Sequence, residues 1–204
     1  MRARRAPDTA RRGWVSLLAA AGATVATLNG ARSAATPALD RHAAGLVGRP
    51  RGTALDHAAG AVTDLGSVFG LTGVAATLAL AGHRRRAGEV LLSGGLAWGL
   101  AQAAKGFVER PRPYQADGSE RLVSVPAGSS WPSGHTAVAG AMAATLTPHL
   151  GPAGVVGAGA GVAVVAASRL YVGVHYLTDV VAGAAVGVLA SRAATGVVDA
   201  VLGR

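Results

Sequence analysis

The stretch SRLYVGVHYLTD, residues 168–179, joins two long apolar segments of this chain and contains Arg169, His175 and Asp179. An apolar segment of about 20 residues is long enough to cross a bilayer as a helix. His175 and Asp179 are four residues apart, so they share one helical face if a helix begins near Tyr176. The stretch therefore predicts a polar site where two membrane helices meet.

Six apolar segments can be placed along the 204 residues, of which 50% are hydrophobic and only 14% are charged. Soluble domains usually have about a quarter of their residues charged. This pattern predicts an all-α integral membrane protein, a six-helix bundle formed by one domain over residues 14–204 after a basic N-terminus at residues 1–13. The segments are Trp14 to Leu28, Leu65 to Gly82, Val90 to Ala104, Thr136 to Leu150, Gly151 to Ser168 and Val180 to about Leu202.

Small residues recur four apart in these segments, which allows helix backbones to approach closely in lipid. We therefore expect tight helix packing at three glycine pairs. They are Gly66 with Gly70, Gly157 with Gly161, and Gly183 with Gly187.

The net charge of +9 is better explained by membrane topology than by nucleic acid. Five of the 19 basic residues lie in the first twelve positions and three more form Arg84-Arg85-Arg86, without the interleaved aromatic residues that nucleic-acid stacking needs. The positive-inside rule then predicts a cytoplasmic N-terminus and an extracytoplasmic location for the polar loops. The alternative for the first segment is a cleaved signal peptide, because arginines precede a short apolar stretch.

Two further motifs precede residues 168–179. Lys105 is followed by Arg112-Pro113 in the pattern K-x6-R-P, and Pro132-Ser133-Gly134-His135 opens the fourth segment. Lys105, Arg112 and Arg169 would together form a cage for a multiply charged oxyanion, because a guanidinium matches phosphate oxygens in pairs. Each cation taken singly is equally explained as a residue at the membrane interface. Arg110 lies off the pattern and is interpreted as a surface charge.

The Pro-Ser-Gly-His motif has a binding and a structural interpretation. Gly134 allows the backbone to approach a ligand, and amides at a helix start favour an anion, to which Ser133 would add a hydroxyl donor. The structural alternatives are that Ser133 is an ordinary N-cap and that His135 is a structural histidine.

His175 with Asp179 is the best candidate for covalent chemistry. A carboxylate beside one ring nitrogen fixes the tautomer and leaves the other nitrogen free as a nucleophile. The chain contains no cysteine, and its histidines and acids form no metal-ligand motif. The alternative is that Thr178 or Asp179 serves as a helix N-cap, and both roles are compatible.

The three motifs in this order resemble the type-2 phosphatidic acid phosphatase superfamily, which is related to glucose-6-phosphatase and the vanadium haloperoxidases. The resemblance covers roughly residues 65–199. It implies a site at the outer membrane–water boundary, where His175 attacks phosphorus and forms a phosphohistidine, Asp179 orients His175, and His135 protonates the leaving oxygen. It also implies that the phosphoryl oxygens are held by Lys105, Arg112, Ser133, Gly134 and Arg169, without a metal or cofactor.

The expected partner is a lipid phosphate or diphosphate in the bilayer, of the polyprenyl diphosphate, phosphatidic acid or phosphatidylglycerophosphate type. Two alternatives are a vanadate-dependent haloperoxidase and a non-catalytic binder or transport partner for lipid phosphates. Multiple membrane spans disfavour the haloperoxidase. The intact His135, His175 and Asp179 disfavour a binder, because binding alone requires only the cations.

Overall fold

The computed structural model describes residues 8–32, 38–47, 52 and 54–201. In these residues all regular secondary structure is helical, which confirms the all-α class. The α-helices are α1 (Asp8–Arg32), α2 (Ala38–Leu46), α3 (Ala54–Thr63), α4 (Val68–Leu80), α5 (Arg84–Lys105), α6 (Pro113–Ala116), α7 (Gly134–Leu146), α8 (Pro152–Tyr171) and α9 (Leu177–Val201).

Each of the six predicted segments lies on a helix, namely α1, α4, α5, α7, α8 and α9. In the described part of the chain, α8 and α9 are long and apolar enough to cross a membrane, and α3 with α4 forms a third candidate that is bent by 61°. Helix α7 has only 13 residues, fewer than the roughly 20 of a straight span. The six-helix count of membrane crossings therefore stays a prediction.

The predicted basic N-terminus falls largely outside the described residues, because they begin at Asp8. Helix α1 itself packs along α9, where Ala31 lies in a cluster with Ala182, Val108 and Trp131. These contacts place the end of α1 at the same end of the bundle as the start of α9, and the choice between a retained helix and a cleaved signal peptide stays a prediction.

The centre of the bundle is the contact between α7 and α9, which small residues make possible. A Cβ atom added at Gly187 would lie 2.3 Å from the Ala137 carbonyl oxygen, and one added at Gly183 would lie 2.4 Å from that of Ser133. The Gly183/Gly187 pair therefore packs as predicted. Gly157 has nothing within 4 Å of such an atom, and the same is true of Gly161, so this pair makes no close contact among the described residues.

A second pair of glycines shapes the bent segment. A Cβ added at Gly66 would lie 2.5 Å from the carbonyl oxygen of His135, and one at Gly70 would lie 2.2 Å from that of Leu65. Gly66 thus brings the 3₁₀ turn Asp64–Gly66 against the start of α7, whereas Gly70 packs within its own bend.

Buried hydroxyl groups join α5, α7 and α9 in the apolar centre. Thr145 Oγ1 donates to Ser93 Oγ at 2.8 Å and shares a hydrogen bond with Ser191 Oγ at 2.9 Å. Each of these side chains is buried, so the hydrogen bonds satisfy groups that would otherwise be costly to remove from water.

Replacing Gly187 by alanine tests the close packing of α7 on α9. Overpacking of this kind costs about 1–3 kcal/mol. We expect Gly187→Ala to lower the midpoint of thermal unfolding in detergent by about 2–4 °C for each kcal/mol. Gly196→Ala on the same helix is the matched control, because its added Cβ meets nothing within 4 Å. Equal midpoints for the two variants would contradict the packing.

Candidate active site

The three motifs meet at one end of the bundle through backbone contacts between their loops. The Ser133 N–H donates to the Asp179 carbonyl oxygen at 3.0 Å, which joins the start of α7 to the start of α9. The Arg112 side chain donates to the Val174 carbonyl oxygen at 3.0 Å, directly beside His175. The predicted site residues therefore converge although they come from different loops.

Arg112 is fully buried and holds two loops together. Four of its five N–H donors are used by backbone carbonyls, which leaves one, on Nη1, for a phosphate oxygen. The acceptors are the carbonyl oxygens of Gly128, Val174, Ala127 and Ser129, at 3.0–3.2 Å. Arg112 is therefore chiefly a clamp on the walls of the site, and its predicted contact with phosphate is limited to a single N–H.

Arg169 is also buried and lies at the end of α8. Its Nη1 donates to Thr63 Oγ1 at 2.7 Å, which connects α8 to the end of α3. Its Nε is buried and has no hydrogen-bond partner among the described residues. Arg169 consequently retains a donor that a bound anion would satisfy.

Lys105 is half-buried at the end of α5, where the charges of Arg112 and Arg169 both act on it. Within the described part of the chain none of these three cations forms an ion pair with a carboxylate. Three like charges that lack counterions repel one another, and binding a multiply charged anion between them would relieve that repulsion.

The Pro-Ser-Gly-His motif forms the start of α7, as predicted. Ser133 is the N-cap: its Oγ accepts from the Thr136 N–H at 3.4 Å and shares a 3.0 Å hydrogen bond with Thr136 Oγ1. The structural interpretation of Ser133 is therefore correct, and its contact with phosphate stays a prediction. His135 and Gly134 are half-buried. His135 lies close enough to His175, Lys105 and Arg169 to interact with them electrostatically.

His175 lies in the loop before α9 with its Nδ1 3.5 Å from Asp179 Oδ2. That distance is at the outer limit of a hydrogen bond, and Oδ2 accepts instead from the Tyr176 N–H at 2.9 Å. Burial lowers the pKa of His175 from about 6.5 to about 4; Asp179 opposes this shift, while Arg169 and Arg112 reinforce it. The imidazole is therefore neutral at physiological pH, as a nucleophile must be.

Two residues that the sequence did not assign to the site, Arg110 and Asp40, lie directly behind His175 and Asp179. Arg110 is buried, which contradicts its interpretation as a surface charge, and it pairs with both Asp179 and Asp40. Burial lowers the pKa of Arg110, but the carboxylates of Asp179 and Asp40 outweigh burial and raise it. The only feature of the sequence that could have pointed to Arg110 is the repeated Arg-Pro pair of residues 110–113. No motif in the sequence pointed to Asp40.

Two hollows adjoin the site. A cavity of about 370 Å³ is lined by His175, Tyr176 and Asp40, together with the acidic Asp117 and Glu120. An apolar groove of about 540 Å³ runs along the bent segment past Leu65 and Phe69, which are both exposed. The groove lining includes Leu65, the neighbour of Gly66, whose backbone lies against the carbonyl oxygen of His135.

The described residues contain no group of three or more His, Cys, Asp or Glu side chains arranged to hold a metal ion. Two of the acidic residues beside His175, Asp179 and Asp40, have basic partners. Asp179 pairs with Arg110 and faces His175, and Asp40 pairs with Arg110.

The fold is that of an all-α membrane protein in which Lys105, Arg112 and Arg169 lie close to the buried, neutral His175. A family model described as the PAP2 superfamily matches residues 86–201. The chain therefore belongs to the PAP2 superfamily, as its three motifs predicted, although the match begins later than the expected residue 65.

Two solved structures share this fold. The transmembrane PAP2-type phosphatidylglycerolphosphate phosphatase from Bacillus subtilis is 24% identical, with a TM-score of 0.74, over 90% of this chain and 96% of that one. LpxE from Aquifex aeolicus is also 24% identical, with a TM-score of 0.70, over 78% of this chain and 96% of that one. At this identity the two structures establish the fold and leave the activity open. No curated protein matches the chain.

Replacing Arg112 by lysine tests the carbonyl clamp. A single ammonium cannot reach all four carbonyls, and each buried carbonyl left unpaired costs about 1–3 kcal/mol. We expect Arg112→Lys to unfold at a lower temperature than the wild type in detergent. Arg121→Lys is the matched control, because Arg121 is exposed; among the described residues it donates to one carbonyl oxygen, that of Val123, and lies 5.5 Å from the centroid of the Tyr114 ring. Wild-type thermal stability for Arg112→Lys would contradict the clamp.

Proposed function

We propose that this chain is a membrane phosphatase that hydrolyses a lipid phosphate or diphosphate through a phosphohistidine, without a metal. The observation that carries the proposal is the convergence of three cations, which form no ion pair in the described part of the chain, with one neutral imidazole that faces a carboxylate. The cations Lys105, Arg112 and Arg169 would hold the phosphoryl oxygens, and His175 would attack the phosphorus.

The reaction would take place in two steps. In the first, His175 Nε2 forms a bond to phosphorus, the bond from phosphorus to the leaving oxygen of the lipid or lipid phosphate breaks, and His135 gives a proton to that oxygen. In the second, His135 takes a proton from water, the resulting hydroxyl attacks phosphorus, and the P–N bond breaks to release inorganic phosphate. Asp179 stays ionised and stabilises the positive imidazole that forms in the first step and becomes neutral again when the P–N bond breaks in the second.

Electrostatic stabilisation would supply most of the rate enhancement. Negative charge spreads over the phosphoryl oxygens in the transition state, and fixed cations in a partly dehydrated site stabilise it without reorganising. The unpaired Nε of Arg169 is the donor best placed for this role, since Arg112 has one N–H to offer. The Gly134 amide at the start of α7 would add a further donor.

A lipid substrate is supported by the apolar groove along the bent segment, whose lining residue Leu65 adjoins the Gly66 that packs against the His135 backbone. An acyl or prenyl chain would lie against Leu65 and Phe69 while its headgroup enters the cage. Polyprenyl diphosphates are our first choice, with phosphatidic acid and phosphatidylglycerophosphate as the next candidates. The cytoplasmic assignment of the N-terminal arginines and of residues 84–86 would place the reaction on the extracytoplasmic side.

Purified protein should release inorganic phosphate from at least one of these lipids, and release should continue in EDTA. We expect His175→Ala to abolish it, since the nucleophile is removed. The matched control is His149→Ala, because His149 is exposed and lies in a separate hollow with Arg84 to Arg86. A water-soluble phosphate ester in the same panel distinguishes lipid preference from general phosphatase activity.

Two results would refute the mechanism. Activity that disappears on chelation would point to a metal-dependent reaction, and activity that persists in His175→Ala would remove the phosphohistidine. Binding of lipid phosphate without turnover would instead support the non-catalytic binder.

The pH dependence of kcat/KM tests the neutral state of His175, because kcat/KM reports the ionisation of the free enzyme. Since its pKa is lowered to about 4, protonation of His175 should not reduce kcat/KM between pH 8 and 5. Below about pH 4 protonation of His175 should lower kcat/KM about tenfold per pH unit. Folding stability should decrease as pH falls from about 6.5 to about 4, because the unfolded chain binds this proton first. A loss of kcat/KM centred near pH 6.5 that is assigned to His175 would contradict the shift.

A further inference from the structure

A buried ionic chain lies behind the His175–Asp179 pair. The side chain of Arg110 is 5% exposed and those of Asp40 and Asp179 are fully buried. Arg110 Nη2 donates to Asp40 Oδ2 at 2.5 Å, and Nη1 donates to Asp179 Oδ1. One guanidinium therefore bridges two carboxylates that are far apart in the sequence.

Asp40 is fixed to the first turn of α9 as well as to Arg110. Its Oδ1 accepts from the Thr178 N–H at 2.9 Å, and its Oδ2 accepts from Thr178 Oγ1 at 2.8 Å. Arg110 Nη1 also donates to Thr178 Oγ1 at 2.8 Å, and the guanidinium lies 4.1 Å from the centroid of the Tyr176 ring. Both residues are thus oriented toward the segment that carries His175 and Asp179.

We propose that Arg110 and Asp40 are positioning residues for His175: Arg110 holds the Asp179 carboxylate in place, and Asp40 holds Arg110. This inference rests on the proposed function. Neither residue belongs to the three motifs, and Asp40 lies in the connection between α1 and α3, outside the segment matched by the family model.

The charge balance distinguishes this role from phosphate binding. Arg110 faces two carboxylates, so the group of Asp40, Arg110 and Asp179 has a net negative charge and would repel a phosphate. Lys105, Arg112 and Arg169 have no such partners in the described part of the chain. Arg110 therefore serves the nucleophile, and the other three cations serve the substrate.

The geometry of Asp179 shows what Arg110 contributes. Asp179 Oδ2 accepts from the Tyr176 N–H and faces His175, while Oδ1 is held by Arg110. Without Arg110 the buried carboxylates of Asp40 and Asp179 would repel each other, so Asp179 would rotate or become protonated. Either change removes the carboxylate that lies 3.5 Å from Nδ1 and that, in the proposed mechanism, keeps Nδ1 protonated and Nε2 free to attack.

The central experiment compares Arg110→Gln with the wild type by steady-state kinetics on whichever lipid the panel identifies. We expect kcat to fall about 10- to 100-fold, the usual cost of losing a group that orients a site residue. KM should stay within about threefold, because the cage that would bind phosphate is unchanged. Arg110→Lys should recover part of kcat, because an ammonium keeps the charge but cannot bridge both carboxylates as a guanidinium does.

Asp40 is tested by a double-mutant cycle. Asp40→Asn should lower kcat less than Arg110→Gln does, since Arg110 keeps its contact with Asp179. The double variant should be no slower than Arg110→Gln alone, because Asp40 acts through Arg110. Losses that multiply would show that Asp40 acts independently and would overturn its assigned role.

Arg85→Gln is the matched control. Arg85 also bridges two carboxylates, Glu89 at 2.7 Å and Asp199 at 3.1 Å, but it lies at the start of α5, at the opposite end of that helix from Lys105. Its kcat and KM should equal those of the wild type. An equal loss of kcat in Arg85→Gln would mean that any lost arginine bridge impairs the enzyme, and the positioning role would fail.

A measurement without turnover separates this inference from the proposed function. In ¹⁵N-histidine NMR spectra of the whole protein in detergent, the His175 signals are identified by their absence in His175→Ala. The wild type should show one tautomer with Nδ1 protonated, and Arg110→Gln should show a mixture.

The outcomes are distinct. If His175→Ala is inactive while Arg110→Gln has wild-type kcat and an unchanged tautomer, only the positioning role fails. If Arg110→Gln raises KM at constant kcat, Arg110 binds substrate and the proposal is overturned. If no lipid is hydrolysed, the proposed function fails, and the tautomer alone decides whether Arg110 orients the His175–Asp179 pair.

Discussion

The first turn of α9 is the point on which the arrangement of the site depends, and Asp179 occupies its centre. Its backbone carbonyl accepts from Ser133, which fixes the start of α7, and its carboxylate contacts Tyr176, His175 and Arg110. A buried carboxylate is stable only when its charge and its oxygens are satisfied. The loops that meet at this turn are therefore held by the same group that would orient the nucleophile.

The helices must approach closely for these contacts to form. Gly183 lies four residues after Asp179 and lets the Ser133 backbone rest directly on α9, while Gly66 does the same for the backbone of His135. A methyl group at either position would overlap a main-chain oxygen. The abundance of glycine in this chain thus has a specific consequence at two of the contacts that position the site.

The two sides of the His175 imidazole carry opposite net charge. Behind His175, Arg110 pairs with both Asp40 and Asp179, so that side has a net negative charge and the Arg110 charge is neutralised by the two carboxylates. Around the proposed phosphate position, Lys105 and Arg169 have no carboxylate partner in the residues described. An anion would be attracted to one side of the imidazole and excluded from the other.

The sequence by itself determined the helical segments, the membrane class, the family and the set of residues that converge, because hydrophobic length and motif spacing are local properties of the chain. It did not reveal that Arg110 is buried, that Arg112 donates four hydrogen bonds to backbone carbonyls, or that Asp40 pairs with Arg110. Arg110 and Asp40 are 70 residues apart, and only the packing of α2 against α9 brings them together. Whether a charged side chain is a surface residue or part of a buried network depends on its distant partners, so the tertiary structure alone decided it.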